Sequence, residues 1–354
     1  METPEDETLF RQSSGLGIVT LNRPKALNAL SPTQFGAIDA RLAAWAADPT
    51  IRVVMIEGAG QRAFSAGGDI KAVWDGRQKC DEAGNRELFR AEYRLDRRIH
   101  HYAKPYVAVL DGIVMGGGAG VSINGRFRVA TERSLFAMPE CAIGFFPDVG
   151  ATHFLSRCPG RLGLFLGLTG ARLGPADMLA AGLATHFVPA AGLEDLRAGL
   201  EQASRQGDAA QAVADLLERL HQSPGPSALA GRLATIEQVC RADGPEAMIA
   251  ALDAVGEDWA DLAAAAMRAA SPTSLVVTWR QLTEGQGLGF DDAIRREFRL
   301  ACTLLQGSEF HEGIRALVID KDKSPRWRPA SLAELPAPEI DRLFAGVNDE
   351  LTFP

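Results

Sequence analysis

Glu140 and Asp148 lie in the stretch SLFAMPECAIGFFPDVG, residues 134–150, which is otherwise dominated by apolar residues, glycine and proline. Burying an ionised carboxylate costs several kcal/mol unless it is paired, hydrogen-bonded or neutralised. Each acid alone has a structural reading, in which Glu140 caps a helix and Asp148 begins a turn. As a pair they have a chemical one. Two buried carboxyls at close range push one pKa up, so that one group keeps its proton and the other supplies a base.

Two glycine-rich stretches each follow an apolar run: AFSAGGDI (63–70) after IRVVMIEG, and MGGGAG (115–120) after YVAVLDG. Glycine permits positive φ and close backbone approach, so each turn can present N–H groups to an anion. Two such donors converging on one oxygen would form an oxyanion hole, whereas the structural alternative is a pair of tight strand-to-helix turns. Neither stretch spells the G-x-G-x-x-G or G-x-x-x-x-G-K-[ST] pattern of a nucleotide phosphate site.

Other chemistry is weakly supported. The five cysteines are scattered, with no CxxC pair, and read as reduced and mostly buried thiols. Cys141 adjoins Glu140, but a neighbouring anion raises a thiol pKa, so it reads as core. The six histidines show no metal-ligand spacing, and no metal site is expected.

The elements that must hold these residues alternate. GLGIVTLNRP reads as a strand, SPTQFGAIDARLAAWAAD as a helix with Ser31 as N-cap and Pro32 at its first position, and IRVVMIEG as a strand buried on both faces. Residues 86–103 form an amphipathic helix, YVAVLDG a strand, and FRVAT and SLFAM short strands flanking a turn. The class is therefore α/β through residue 191, followed over 192–354 by a mainly helical region rich in alanine, leucine, glutamate and arginine. In 354 residues, 46% apolar and 23% charged, there is material for a large core and an accessory region. A net charge of -8 argues against nucleic-acid binding, and no apolar run is long enough to span a bilayer. The acidic start METPEDETLF lacks a signal-peptide layout, so a cytoplasmic protein is expected.

The ordered set LNRPKALNAL, AFSAGGDI, LDGIVMGGGAG, FAMPECAIGFFPDVG and GLAT resembles the enoyl-CoA hydratase/isomerase (crotonase) superfamily. That resemblance implies a crotonase-like spiral of ββα units with a helical C-terminal region, and acyl-CoA thioesters as small-molecule substrates. It assigns the oxyanion-hole N–H groups to Gly68 and Gly117. It places CoA against the turns Lys25-Ala26-Leu27 and Ala66 to Ile70, including Gly67 and Asp69, and implies no resident cofactor, CoA being part of the substrate. Hydratases of the family carry a first glutamate in a GGGxE motif, where this chain has Gly120, while Glu140 keeps the second acid and Asp148 is an addition. These departures, with SPTSLVVTWRQL, REFRLA and FHEGIRALVIDKDKSPRW, look like the 3-hydroxyisobutyryl-CoA hydrolase branch. Thioester hydrolysis by Glu140 and Asp148 is the implied activity. An enoyl-CoA hydratase or isomerase and a non-catalytic acyl-CoA-binding protein are the alternatives. Ala151 stands where the branch usually has a second glycine, which could narrow the acyl pocket. The family also implies a possible homo-oligomer built through C-terminal helices, unless that region folds back over its own site.

Overall fold

The computed structural model describes residues 7–347 and 349–353. Among the described residues there are nine strands: β1 (Thr8–Ser13), β2 (Leu16–Leu21), β3 (Val53–Gly58), β4 (Ala63–Ser65), β5 (Tyr106–Leu110), β6 (Ile113–Met115), β7 (Phe127–Ala130), β8 (Leu135–Ala137) and β9 (His186–Phe187). They form a six-stranded sheet of order β1-β2-β3-β5-β7-β9 and a three-stranded sheet of order β4-β6-β8. In the larger sheet only the β1–β2 pair is antiparallel. β2 and β5 are buried at every position, which is why they read as unbroken apolar runs.

The ββα unit is visible in the chain order. β3, β5 and β7 enter the larger sheet, and each is followed by a short strand, β4, β6 or β8, of the smaller one. Helices Ile70–Gln78 and Glu82–His100 follow β4, helix Gly117–Ile123 follows β6, and a 3-10 turn Glu140–Ile143 follows β8. FRVAT and SLFAM are thus strands of different sheets. The amphipathic helix expected over 86–103 runs instead from Glu82 to His100.

Contacts divide the chain into two compact units. The first comprises the segments ending at Gly68, from Arg94 to Phe136 and from Leu173 to Ala230; the second comprises Asp69 to Tyr93, Ala137 to Arg172 and the chain from Gly231 onward. The division therefore does not fall at the expected boundary after residue 191. Its cause is hydrophobic. Leu196 and Leu200 of helix Leu193–Ala203, and Val213, Leu216 and Leu217 of helix Ala209–Leu220, share one buried cluster with Leu16, Val53, Val107 and Val129 of the larger sheet.

In the first unit, helix Pro32–Ala47 starts as its residue types require. Ser31 and Gln34 form a reciprocal capping box, Pro32 occupies the first turn, and Phe35, Ile38, Leu42 and Trp45 are buried at helical spacing. In the second unit, Ser271 caps helix Pro272–Glu284, and helix Phe290–Gln306 buries Phe290, Ile294, Phe298 and Ala301 together with a carboxylate, Glu297.

The helix packs on β2 without slack. A Cβ at Gly17 would lie 2.8 Å from the ring of Trp45, which is itself 1% exposed. We expect Gly17→Ala to lower stability by about 1–3 kcal/mol, the usual cost of overpacking, through a lower urea midpoint with an unchanged m-value.

Candidate active site

The first unit holds the glycine turns. Ala66 N donates to Leu27 O at 2.9 Å and Leu30 N to Gly67 O at 2.8 Å, so the Lys25-Ala26-Leu27 turn is tied to the turn after β4. Lys25 and Ala26 are exposed and Leu27 is half-buried at φ +53°, on a loop pinned by Asn28, whose Nδ2 donates to Ala59 O and Ala63 O. Gly67 adopts φ +110°, and a Cβ there would meet Met115 O at 3.2 Å and Gly117 N at 3.4 Å. A Cβ on Gly118 would lie 2.5 Å from Ser65 O. The two glycine turns therefore touch each other backbone to backbone, which only glycine allows. Neither the Gly68 nor the Gly117 N–H donates to another group among the described residues. Of the residues expected to surround CoA, Lys25, Ala26, Leu27, Ala66 and Gly67 lie in this unit; Asp69 and Ile70 open helix Ile70–Gln78 in the second.

The second unit holds the acids. Glu140 opens its 3-10 turn but does not cap it, the N-cap being Pro139, whereas the Asp148 carbonyl accepts from Ala151 N at 2.9 Å, so Asp148 begins a turn as its structural reading has it. Their side chains do something further. Both are buried, at 6% and 5% exposure, among apolar residues. Tyr93 Oη donates to Asp148 Oδ2 at 2.6 Å. Burial raises the Asp148 pKa from its ordinary 3.8 to about 7, against the pull of the Tyr93 hydrogen bond. Burial, and then the charge of Asp148, pushes Glu140 well above the carboxylate range. Glu140 Oε2 is buried and has no hydrogen-bond partner among the described residues. A third carboxyl, Glu92, is 4% exposed and raised by burial, then by Asp148 and Glu140.

Such a cluster cannot carry three negative charges at neutral pH, so it stores at least one proton beside a carboxylate able to accept one. It can serve as acid and base in one place. Cys141 is no part of this chemistry: its thiol contacts Gly167 O and Thr278 Oγ1, and burial pushes its pKa to about 12.

Glu92, Tyr93 and Glu297 were not expected from the sequence as site residues. One signal existed for Glu92 and Glu297: each is an acid on the apolar face of its helix. Glu92 follows Leu88 by four residues, and Glu297 lies between Ile294 and Ala301.

The chain belongs to the enoyl-CoA hydratase/isomerase family, which matches residues 16–344. Within that class its relatives include the protein named 3-hydroxyisobutyryl-CoA hydrolase, mitochondrial, of Gallus gallus, 43% identical over 350 residues, with 97% of this chain and 90% of the relative covered. The protein of the same name from Homo sapiens is 40% identical over 97% of this chain and 89% of its own length. Among solved structures, a carnitinyl-CoA dehydratase from Mycobacterium thermoresistibile superposes with a TM-score of 0.91 at 40% identity, covering 98% of this chain and 99% of that one. An enoyl-CoA hydratase from Rhodobacter sphaeroides 2.4.1 gives 0.90 at 38% identity, covering 98% of this chain and all of its own. The expected crotonase fold is met. The cytoplasmic expectation is corrected, because the curated relatives are named as mitochondrial enzymes. It rested on apolar run length and an acidic start, and run length addresses membrane spanning rather than compartment.

The raised Asp148 pKa has a consequence for stability. The native protein holds this proton more tightly than the unfolded chain does, so the Asp148 contribution is most favourable below pH ~4 and declines as pH rises toward ~7. Asp148→Asn, which still accepts from Tyr93, should therefore stabilise the protein at pH 8, by on the order of 1–3 kcal/mol, and much less at pH 4. Melting temperatures of both proteins across that range check it; a gain that grows toward acid pH would contradict the assignment.

Proposed function

We propose that this chain is an acyl-CoA thioester hydrolase that cleaves short branched 3-hydroxyacyl groups, with 3-hydroxyisobutyryl-CoA, an intermediate of valine catabolism, as its substrate. The observation that carries the reading is the buried pair Glu140 and Asp148, with Glu140 Oε2 left open to a ligand or water, in a chain that has glycine at position 120. Relatives bearing the hydrolase name support it along nearly the whole chain.

In this reading the thioester oxygen accepts from the Gly68 and Gly117 N–H groups, and Lys25, Ala26, Leu27, Ala66, Gly67, Asp69 and Ile70 receive CoA. Glu140 has the higher proton affinity of the two, so the reactive state is the one in which the shared proton sits on Asp148; there the Glu140 carboxylate either attacks the carbonyl carbon, giving a mixed anhydride that water then opens, or takes a proton from an attacking water. The carbon–sulfur bond breaks, and the Asp148 carboxyl gives its proton to the departing thiolate. Negative charge moves from Glu140 to the oxyanion and then to sulfur, so the amide donors act where charge develops. No resident cofactor is required.

A second reading, hydration or isomerisation of an enoyl-CoA, is favoured by the names of the superposed structures. Gly120 weighs against two-acid hydration, because helix Gly117–Ile123 carries no ionisable residue. The two readings separate in one assay. Purified protein should release free thiol from 3-hydroxyisobutyryl-CoA, and double-bond chemistry on crotonyl-CoA or a 3-enoyl-CoA without thiol release would select the alternative.

Two variants test the roles. Glu140→Gln should abolish most turnover. Asp148→Gly should cut hydrolysis by on the order of 100-fold or more, the usual size of a lost acid–base contribution, with KM little changed. Melting temperature is read on the same preparation: a destabilised Asp148→Gly protein with full activity per folded molecule would reduce Asp148 to a turn residue.

A further inference from the structure

We propose that Glu297 is a positioning residue for Asp148: its buried carboxyl clamps the turn from Asp148 to Thr152 and thereby holds the Asp148 carboxyl in its buried place. Glu297 is fully buried on helix Phe290–Gln306, 149 positions from Asp148 in the chain (297 less 148). Its Oε2 accepts from Gly150 N at 2.7 Å and its Oε1 from Thr152 N at 2.7 Å. Both oxygens are used as acceptors, a pairing that an amide side chain could meet at only one of them.

The turn needs such a clamp. Val149 sits at φ +54°, a left-handed conformation that a β-branched residue adopts only when its surroundings enforce it, and Gly150 follows at φ +91°. Gln281, from helix Pro272–Glu284, supplies a neutral brace: its Nε2 donates to Pro147 O at 2.7 Å and to Thr152 Oγ1 at 2.8 Å. Asp148 thus stands on a strained turn gripped by two buried side chains, one a carboxyl and one an amide.

The clamp carries a second effect. The groups facing Asp148 are Tyr93 and Glu92 from helix Glu82–His100, Glu140 from the 3-10 turn, and Glu297. Of the arginines on that helix, which include Arg86 and Arg94, Arg90 is engaged by Glu87 and Asp349. Burial raises Glu297 to about 8, and its hydrogen bonds to Thr152 and Gly150 oppose the rise. Asp148 ionises before Glu297, so the clamp acts on it through position: once the turn is loosened, water reaches the Asp148 carboxyl and its pKa falls toward the ordinary value. A residue that merely satisfied two buried amides would stabilise the turn and do neither of these things to the chemistry.

The catalytic part of this inference rests on the proposed hydrolase reading; the electrostatic part does not. The test compares the intact protein with Glu297→Gln, Glu297→Asp and Gln281→Leu. It measures thiol release against pH, melting temperature, and the Asp148 titration midpoint by carbon NMR of carboxyl-labelled aspartate, with the resonance assigned by its loss in Asp148→Asn. We expect Glu297→Gln to reduce kcat by at least ~10-fold with KM within ~3-fold, since a misplaced reacting group costs rate more than binding. Its Asp148 midpoint should fall by roughly half a unit to one unit. Glu297→Asp keeps two acceptor oxygens and should hold the midpoint near that of the parent. Gln281→Leu should lower the melting temperature with the midpoint in place.

Glu297→Gln with an unmoved midpoint and full turnover per folded molecule overturns the inference, as does an equal midpoint shift in Gln281→Leu. Should the parent protein release no thiol at all, the hydrolase reading fails, while the NMR midpoints still decide whether Glu297 governs Asp148.

Discussion

The 2.6 Å hydrogen bond from Tyr93 to Asp148 sits among carboxyls that the fold has taken out of water, and the second unit is arranged around the cost of doing so. A phenol donating to a carboxylate is one of the stronger neutral-donor interactions available. It does not suffice here, because Asp148 still rises to about 7. Aromatic rings supply the low-dielectric surroundings: Phe89 packs against Tyr93 and Phe145, Phe145 stacks on Phe310 at 4.4 Å, and Tyr93 meets Phe298 edge-on. Those rings contribute stability through burial and, by the same burial, hold the acids away from their ordinary protonation. Stability and proton storage come from one set of residues.

A different constraint governs the glycine turns of the first unit. There the need is for backbone to approach backbone, and side chains are what must be absent. A Cβ on Gly118 would meet the Ser65 carbonyl, and Gly67 stands where its own Cβ would crowd Met115 O. The helix that follows, Gly117–Ile123, is buried throughout and carries no ionisable group. Close backbone packing and buried titrating groups are thus supplied by separate stretches of chain.

What the sequence discloses follows from how local each signal is. Ser31 as an N-cap with Pro32 after it, the apolar strands and the two glycine turns are local, and they are legible in the residues themselves. Glu140 and Asp148 stood out because an acid is anomalous in an apolar run. Their partners did not, since Tyr93 is 55 residues from Asp148 and Glu297 is 147 from Gly150, and periodicity marks Glu297 only as a misplaced polar residue on a buried face. The unit boundary was missed for a related reason. Helices Leu193–Ala203 and Ala209–Leu220 change the composition of the chain at residue 192, yet their leucines and valine finish the core of the preceding sheet. Composition reports what an element is made of, and packing decides where it belongs.

The position of Gly120 bears on why a fold shared with hydratases can serve a different reaction. Adding water across a double bond asks for acid and base placed to serve two adjacent carbons, and an acid on the helix after the triple glycine is one way to provide it. With glycine at 120, that helix offers hydrogen-bond donors alone. All the shifted carboxyls described here, Glu92, Glu140, Asp148 and Glu297, then belong to the second unit, where each raises the proton affinity of a neighbour. A cluster of that kind is poor at holding several charges and good at passing one proton among its members. Hydrolysis asks for that ability, because the proton removed when the nucleophile forms must be matched by one delivered to a leaving thiolate.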